Sequence, residues 1–138
     1  MIYDILNRPR NILTRIRLEE SEMEALRYSL YPSAVRYDTD KVQSSPKDPM
    51  PVYAARVDEI ENRIQRLKLE YLKAIDQVKE LIAPLNDIER EVLTFRYIRQ
   101  WSWQTVALET NHTEDGVHKI RRRAVKKLEE IHNLSSKF

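Results

Sequence analysis

Val57, Ile60, Ile64, Leu67, Tyr71, Ala74, Val78 and Leu81 step along the chain by 3, 4, 3, 4, 3, 4 and 3 residues. A strand repeats every second residue, so only a helix puts these eight side chains on one stripe, and the spacing is that of a heptad seam. Leu72, Ile75 and Ile82 widen the apolar face beyond a two-stranded seam, so this helix needs more than one neighbour. A helix over Val52–Ala83 would be about 48 Å long, against about 31 Å for the helix expected upstream of it. Two arrangements cover such a seam: an antiparallel hairpin with the upstream helix, or self-association through the surplus face. The surplus residues in turn need the C-terminal helices, if the chain turns back at Pro84 and Leu85, or a second protomer. We expect a homo-oligomer with this helix at its interface.

The upstream helix is expected over Arg10–Leu30. Ile12, Ile16, Met23, Leu26 and Leu30 recur at helical spacing, with Glu19 interrupting the stripe. Asn7 and Pro9 suit its first turn, because Asn caps and Pro loses no needed N–H there. Between the two helices, residues 31–51 hold Pro32, Pro46, Pro49 and Pro51 and the polar run "DTDKVQSSPKDP". A loop of this length is unusual in a compact domain, and reads either as a plain linker or as an ordered segment lying along the helices or facing a partner.

With a single Gly, no Cys and no long alternating runs, the chain reads as all-α. The absence of cysteine excludes disulfides and thiolate metal sites and fits a cytosolic protein. No apolar run approaches membrane-spanning length, and a start that includes Asp4 and Arg8 does not read as a signal peptide. There is no Gly-rich phosphate loop. His112, His118 and His132 lack metal-site spacing, and the adjacent Glu19-Glu20 and Glu129-Glu130 point different ways on a helix. No enzyme, cofactor or metal is expected. The domain reading is 1–83, a helical hairpin or coiled-coil-like part, followed by 84–138.

Net charge is +2, but it is unevenly placed. Residues 1–83 carry 14 basic and 14 acidic side chains, whereas 84–138 carry 10 and 8. Lys119 to Lys127 holds six cations and no acid, which points to an anionic partner at that end. After Pro84, Asn86 or Asp87 can cap a helix over Ile88–Gln100 with Val92, Leu93, Phe95 and Tyr97 as apolar contacts. Ser102 can cap a short helix, Trp103 to Glu109, with both tryptophans read as core. Asn111 tolerates the left-handed conformation of a tight turn, and Thr113 can cap the helix that follows. Helix, short turn and capped basic helix make a helix-turn-helix, in which the second helix enters the major groove. Ala107 suits a close helix crossing, with Val106, Val117 and Ile120 filling the junction.

The stretch from Leu85 to Ile131 resembles region four of bacterial sigma factors. Glu89-Arg90-Glu91, Val92-Leu93, Arg96-Tyr97, Arg123-Ala124 and Lys127-Leu128 meet that family's pattern without gaps. Departures lie at the turn: Thr110 and His112 stand where apolar residues are usual, and Asn111 replaces Gly. With "ALRYSLYPS", "DKVQSSPKDPM" and the heptad helix included, the whole chain resembles small phage-encoded sigma-like regulators of the ArpU type. That resemblance implies control of phage late or packaging genes in the cytoplasm of a bacterial host, with RNA polymerase as a possible second contact.

On a helix, Val117, Ile120, Ala124, Leu128 and Ile131 fall on one stripe and are expected to face the core. Opposite lie Asp115, Lys119, Arg122 and Lys126, flanked by His118 and Arg123. With Thr113 at the cap, these seven are the candidate DNA-binding residues. The early ones would reach base edges, with Asp115 able to accept from cytosine N4, and the later cations would meet phosphates. Glu114 instead favours the helix N-terminus through its dipole. Gly116, which costs about 1 kcal/mol against Ala inside a helix, reads either as a site of close backbone approach to DNA or as an accident. Three readings of the whole follow: a transcription regulator on double-stranded DNA, a small terminase-type packaging subunit, or a coiled-coil adaptor with a vestigial DNA motif.

Overall fold

A computed structural model describes residues 1–36 and 49–136. Its elements are α1 (Ile2–Arg36), α2 (Met50–Ile82), α3 (Asp87–Leu93) continuing as a π-helical turn (Thr94–Ile98), α4 (Trp103–Glu109) and α5 (Glu114–Ser136). The chain is all-α, with no strand among the described residues. Apart from Pro49, the run "DKVQSSPKDP" lies outside them.

α1 corrects the expected bounds at both ends. It begins eight residues before Arg10 and carries Pro9 in its interior, with the Asn7 expected as a cap inside the helix. An interior proline forfeits one backbone bond and crowds the preceding turn, at about 3 kcal/mol. Ile2 and Leu6 are buried, and each apolar side chain so placed contributes about 1.5–3 kcal/mol, which offsets that cost. The far end runs past Leu30 and Pro32 to Arg36, because a proline removes a single i→i−4 bond without forbidding the next turn. α2 starts two residues early: the Tyr53 N–H bonds the Pro49 carbonyl at 3.0 Å, which puts Pro51 in the first turn, where its missing donor would be unpaired anyway.

Two compact units are present, and they divide at Asn11 and Tyr71 where the sequence suggested Pro84. One unit is Ile12–Glu70. In it, Ile12, Ile16 and Met23 of α1 and Ile60 and Ile64 of α2 are buried. The Glu19 that interrupts the α1 stripe has a partner: Arg63 Nε donates to both of its carboxylate oxygens at 3.0 Å, and the same guanidinium reaches Glu22 at 3.4 Å. The break in apolar periodicity is an ion pair between the two helices.

The other unit is Met1–Asn11 with Tyr71–Phe138. Its first apolar cluster joins Ile2, Leu6, Val78, Ile82, Leu85, Leu93, Tyr97, Ala124, Val125 and Leu128. Ile82 is thus covered by the chain's own helices at 3 % exposure, which removes it from the surface available to a second copy. Ile75 is half-buried, and Leu72 alone of the three surplus residues is open, at 59 %. The second cluster, Val92, Val106, Ala107, Val117 and Ile120, with Ile88, Phe95, Trp101 and Trp103 against it, holds α3, α4 and α5 together.

Candidate nucleic-acid interface

Local signals at helix ends set the geometry of this unit. Asn86 caps α3 in a reciprocal box: its side chain accepts from the Glu89 N–H at 2.9 Å, and Glu89 Oε1 accepts from the Asn86 N–H at 3.3 Å. The expected single helix to Gln100 changes at Thr94 into a π-helical turn, where the Arg99 N–H bonds the Thr94 carbonyl at 3.0 Å. The wider turn lets Leu93 and Tyr97 enter the first cluster while Val92 and Phe95 meet the second. Gln100 then takes a φ of 62° and its amide donates to the Tyr97 carbonyl at 2.6 Å, which closes the loop before α4.

Ser102 caps α4 as expected, accepting from the Thr105 N–H at 3.2 Å. α4 ends in a Schellman turn: the His112 N–H reaches the Ala107 carbonyl at 2.9 Å and the Asn111 N–H the Leu108 carbonyl at 3.3 Å, with Asn111 at φ 58°. The polar turn residues that depart from the sigma pattern are satisfied locally. Thr110 is buried and its hydroxyl donates to the Val106 carbonyl at 2.7 Å, while His112 Nδ1 lies 2.6 Å from the Thr110 carbonyl. Thr113 caps α5, its oxygen accepting from the Gly116 N–H at 3.0 Å. That leaves the hydroxyl proton to be donated outward.

Val117, Ile120, Ala124 and Leu128 are buried, as the stripe predicts. Two positions differ. Val125 is buried as well, while Ile131 is 40 % exposed and not in the core. Along α5 the second cluster ends at Ile120 and the first at Leu128, so α5 has outrun its neighbours by the next turn.

The structure brings Asp115, Lys119, Arg122 and Lys126 together as one exposed row, and none of the three cations pairs with a described acid. With a rise of 1.5 Å per residue the row is about 16 Å long. Thr113 stands exposed at its head. The flanking residues are less available. His118 is half-buried with its ring 4.6 Å from that of Trp103, and Arg123 leans towards Glu89 at 4.0 Å.

Four charged residues, in contacts that the sequence did not assign, hold α5 at a fixed roll about its axis. Glu89, 0 % exposed, takes Lys127 Nζ in a 3.0 Å hydrogen bond to Oε1. Its Oε2 is 2.9 Å from the same ammonium in ion-pair contact, outside hydrogen-bonding alignment. The acid of one sequence motif and the basic-Leu step of another therefore meet. On the opposite flank Arg121 lies 5.4 Å from the Trp103 ring and 5.9 Å from Tyr3 of α1, a cation between aromatic faces. Arg96 lies over Trp103 at 4.8 Å and donates to the Trp101 carbonyl at 2.9 Å. Burial lowers the Arg96 pKa from its ordinary value, and Arg10 and Arg121 act the same way against the opposing influence of Tyr97. Burial likewise raises the Tyr97 pKa, against a hydrogen bond and the charge from Arg121. Sequence spacing could have flagged Arg121, which falls on the apolar half of α5, but its partner Tyr3 is at the other end of the chain.

Residues 81–130 match the family model for sigma-70, region 4. The matched segment runs from the last turn of α2 through most of α5 and includes the whole helix-turn-helix. No curated protein and no solved structure gives a significant match to the chain.

Proposed function

We propose that this chain is a sequence-specific regulator of transcription that binds double-stranded DNA with α5 in the major groove, and that it performs no catalysis. The observation that carries this reading is the exposed row Asp115, Lys119, Arg122 and Lys126 on the second helix of a helix-turn-helix, within a segment matching sigma-70 region 4. In this motif the N-terminal residues of the second helix meet base edges. Asp115 and Lys119 are therefore assigned to base reading, and Arg122 and Lys126 to phosphates, with Thr113 donating at the head of the helix and Arg123 and His118 at the flanks. The sigma-region match supports RNA polymerase as a second partner and favours a regulator over a packaging subunit. The intact exposed row counts against an adaptor that has lost its DNA contact. The likeness of the remaining chain to ArpU-type regulators supports action on phage late or packaging genes, in the cytoplasm of a bacterial host.

One chain is taken as the binding unit. The self-association expected from the surplus face of α2 now rests on Leu72, since Ile82 is covered within the chain and Ile75 is half-buried. Light scattering at micromolar concentration should give the mass of one chain. A dimer mass that persists when Leu72 is changed to Lys would place self-association elsewhere on the surface.

Salt dependence tests the DNA reading. All six cations from Lys119 to Lys127, if each met a phosphate, would give a slope of log K against log salt of about −5, at about −0.9 per phosphate. Lys127 is held by Glu89 and Arg121 lies against the Trp103 and Tyr3 rings, so we expect about three or four phosphate contacts and a slope of about −3 to −3.5. Arg122→Glu or Lys126→Glu should weaken binding to any duplex by tenfold or more with helicity unchanged. A flat salt response of the unaltered protein would overturn the reading.

A further inference from the structure

Lys126 and Lys127 are adjacent in sequence and opposite in situation. Lys126 belongs to the exposed row, whereas Lys127 is drawn back onto a carboxylate that has no solvent access. We propose that Glu89 is a specificity-determining residue: its buried charge holds Lys127, and more loosely Arg123, away from phosphates, so that sequence-independent binding stays weak. The inference rests on the DNA-binding reading above and adds to it a control on how much of that binding is specific.

Capping alone does not require a charge at position 89. The reciprocal box with Asn86 uses one carboxylate oxygen as an acceptor, and a glutamine serves that role as well as a glutamate. What the acid adds is a negative charge set between two α5 cations: Lys127 Nζ at 3.0 and 2.9 Å, Arg123 Nε at 4.0 Å. Glu89 Oε2 accepts no hydrogen bond from any described group, so acceptor capacity remains directed at those cations. A carboxylate offers a cation the same charge and oxygen acceptors as a phosphate, and this one is permanently in place.

The competition favours the protein's own acid. If Lys127 moved to a phosphate, Glu89 would be left buried and unpaired, and an uncompensated buried charge is far costlier than a lost surface contact. Arg123 has a more exposed side chain, 63 % against 46 % for Lys127, and a longer contact, so it is the more easily released of the two. Sequence-independent affinity grows with the number of phosphates neutralised, while base contacts near the start of α5 do not depend on that number. On a selected duplex the base contacts fix the register of α5. A scrambled duplex can be held in whichever register brings most cations to phosphates, so cations kept on Glu89 weaken scrambled binding more than selected binding.

The experiment measures affinity of the full chain over a range of salt for two duplexes: one selected by the unaltered protein from a random pool, and a scrambled one of equal length. Glu89→Gln keeps the cap acceptor and removes the charge. It should steepen the slope on the scrambled duplex by about 0.9–1.8, one or two released cations, and raise scrambled affinity more than selected affinity. Discrimination should fall severalfold. Lys126→Gln should make the slope shallower by about 0.9, and Lys127→Gln should leave it unchanged. If Glu89→Gln does not fold, the lysine pair decides alone; if Lys127→Gln does not fold, the double variant Glu89→Gln/Lys127→Gln replaces it and is compared with Glu89→Gln, which should then be steeper by about 0.9. The proposal is overturned if Lys127→Gln lowers the slope as Lys126→Gln does, or if folded Glu89→Gln keeps both slope and discrimination. Absence of salt dependence in the unaltered protein would instead remove the DNA reading beneath it.

Discussion

The Ile12–Glu70 unit and the unit that carries the helix-turn-helix reach helical structure by different means. In the first, two long helices are specified by periodicity, and the one irregularity in the α1 stripe, Glu19, is answered across the pair by Arg63. In the second, α3 and α4 have seven residues each, far too short to persist in water without help. They are fixed by their ends: the Asn86 box, the Ser102 cap, the Schellman turn at Asn111 and the Thr113 cap follow one another within 28 residues. Long helices tolerate local errors such as Pro9 because packing along their length outweighs them. Short ones do not, so the DNA-binding part is where single polar residues carry structure.

The largest test of that difference is a core truncation in each unit. Leu128 is 1 % exposed in the cluster that joins α5 to its neighbours, so Leu128→Ala should cost about 3–5 kcal/mol and abolish DNA binding at temperatures where the native protein still binds. Ile64, 8 % exposed between α1 and α2, should cost about 2–3 kcal/mol as Ile64→Ala and leave affinity below the melting point unchanged. Denaturant unfolding alongside a binding isotherm checks both. Equal loss of DNA affinity in the two variants would mean that the units do not behave as separate carriers of structure and function.

A smaller contrast compares polar contacts of each kind. Asn86→Ala removes the side-chain half of the α3 box and should cost about 1 kcal/mol. Glu19→Ala breaks the pair with the partly exposed Arg63, where solvent screening limits such a contact to about 1 kcal/mol or less. Salt separates them: the Glu19→Ala effect should shrink at 1 M salt, where the screening length is about 3 Å, and the Asn86→Ala effect should persist. A cap effect that also vanishes in salt would mean that it acts through charge and not through the satisfied N–H.

The same contrast explains what was legible in the sequence. The eight seam positions of α2 are all buried or half-buried, because a 3-4 repeat has only one helical solution. Ser102, Asn111 and Thr113 were legible because each acts on backbone within three residues of itself. Four features were not. The start of α1 at Ile2 depends on Val78 and Leu128, to which no local signal points. The π-helical turn at Thr94–Ile98 depends on two clusters drawing Tyr97 and Phe95 in different directions. Ile131 continued the stripe by angle but lies beyond the buried clusters. The roles of Glu89 and Lys127 join residues 38 positions apart. Chemistry within a turn could be read; chemistry across elements had to be seen.

Gly116 is the finest test of how far a single cap governs α5. Replacing a helical glycine by alanine ordinarily stabilises by about 1 kcal/mol. Here the new Cβ would sit 3.1 Å from Thr113 Oγ1, the atom that accepts the Gly116 N–H, and 3.7 Å from the His112 Cβ. The second distance is ordinary contact; the first is tight, and easing it means moving the cap oxygen off its hydrogen bond. Gly116→Ala should therefore stabilise by well under the full amount, about 0.3 kcal/mol or less, as propensity gained is offset by cap geometry lost. In a Thr113→Ala background the crowding atom is gone, and the same substitution should recover most of its ~1 kcal/mol. A double-mutant cycle by thermal or urea unfolding measures the coupling, expected at about 0.5 kcal/mol or more. If Gly116→Ala is worth the same in both backgrounds, the cap does not constrain position 116. A loss of DNA affinity in Gly116→Ala without any loss of stability would then point to close approach of the backbone to DNA as the reason for the chain's one glycine.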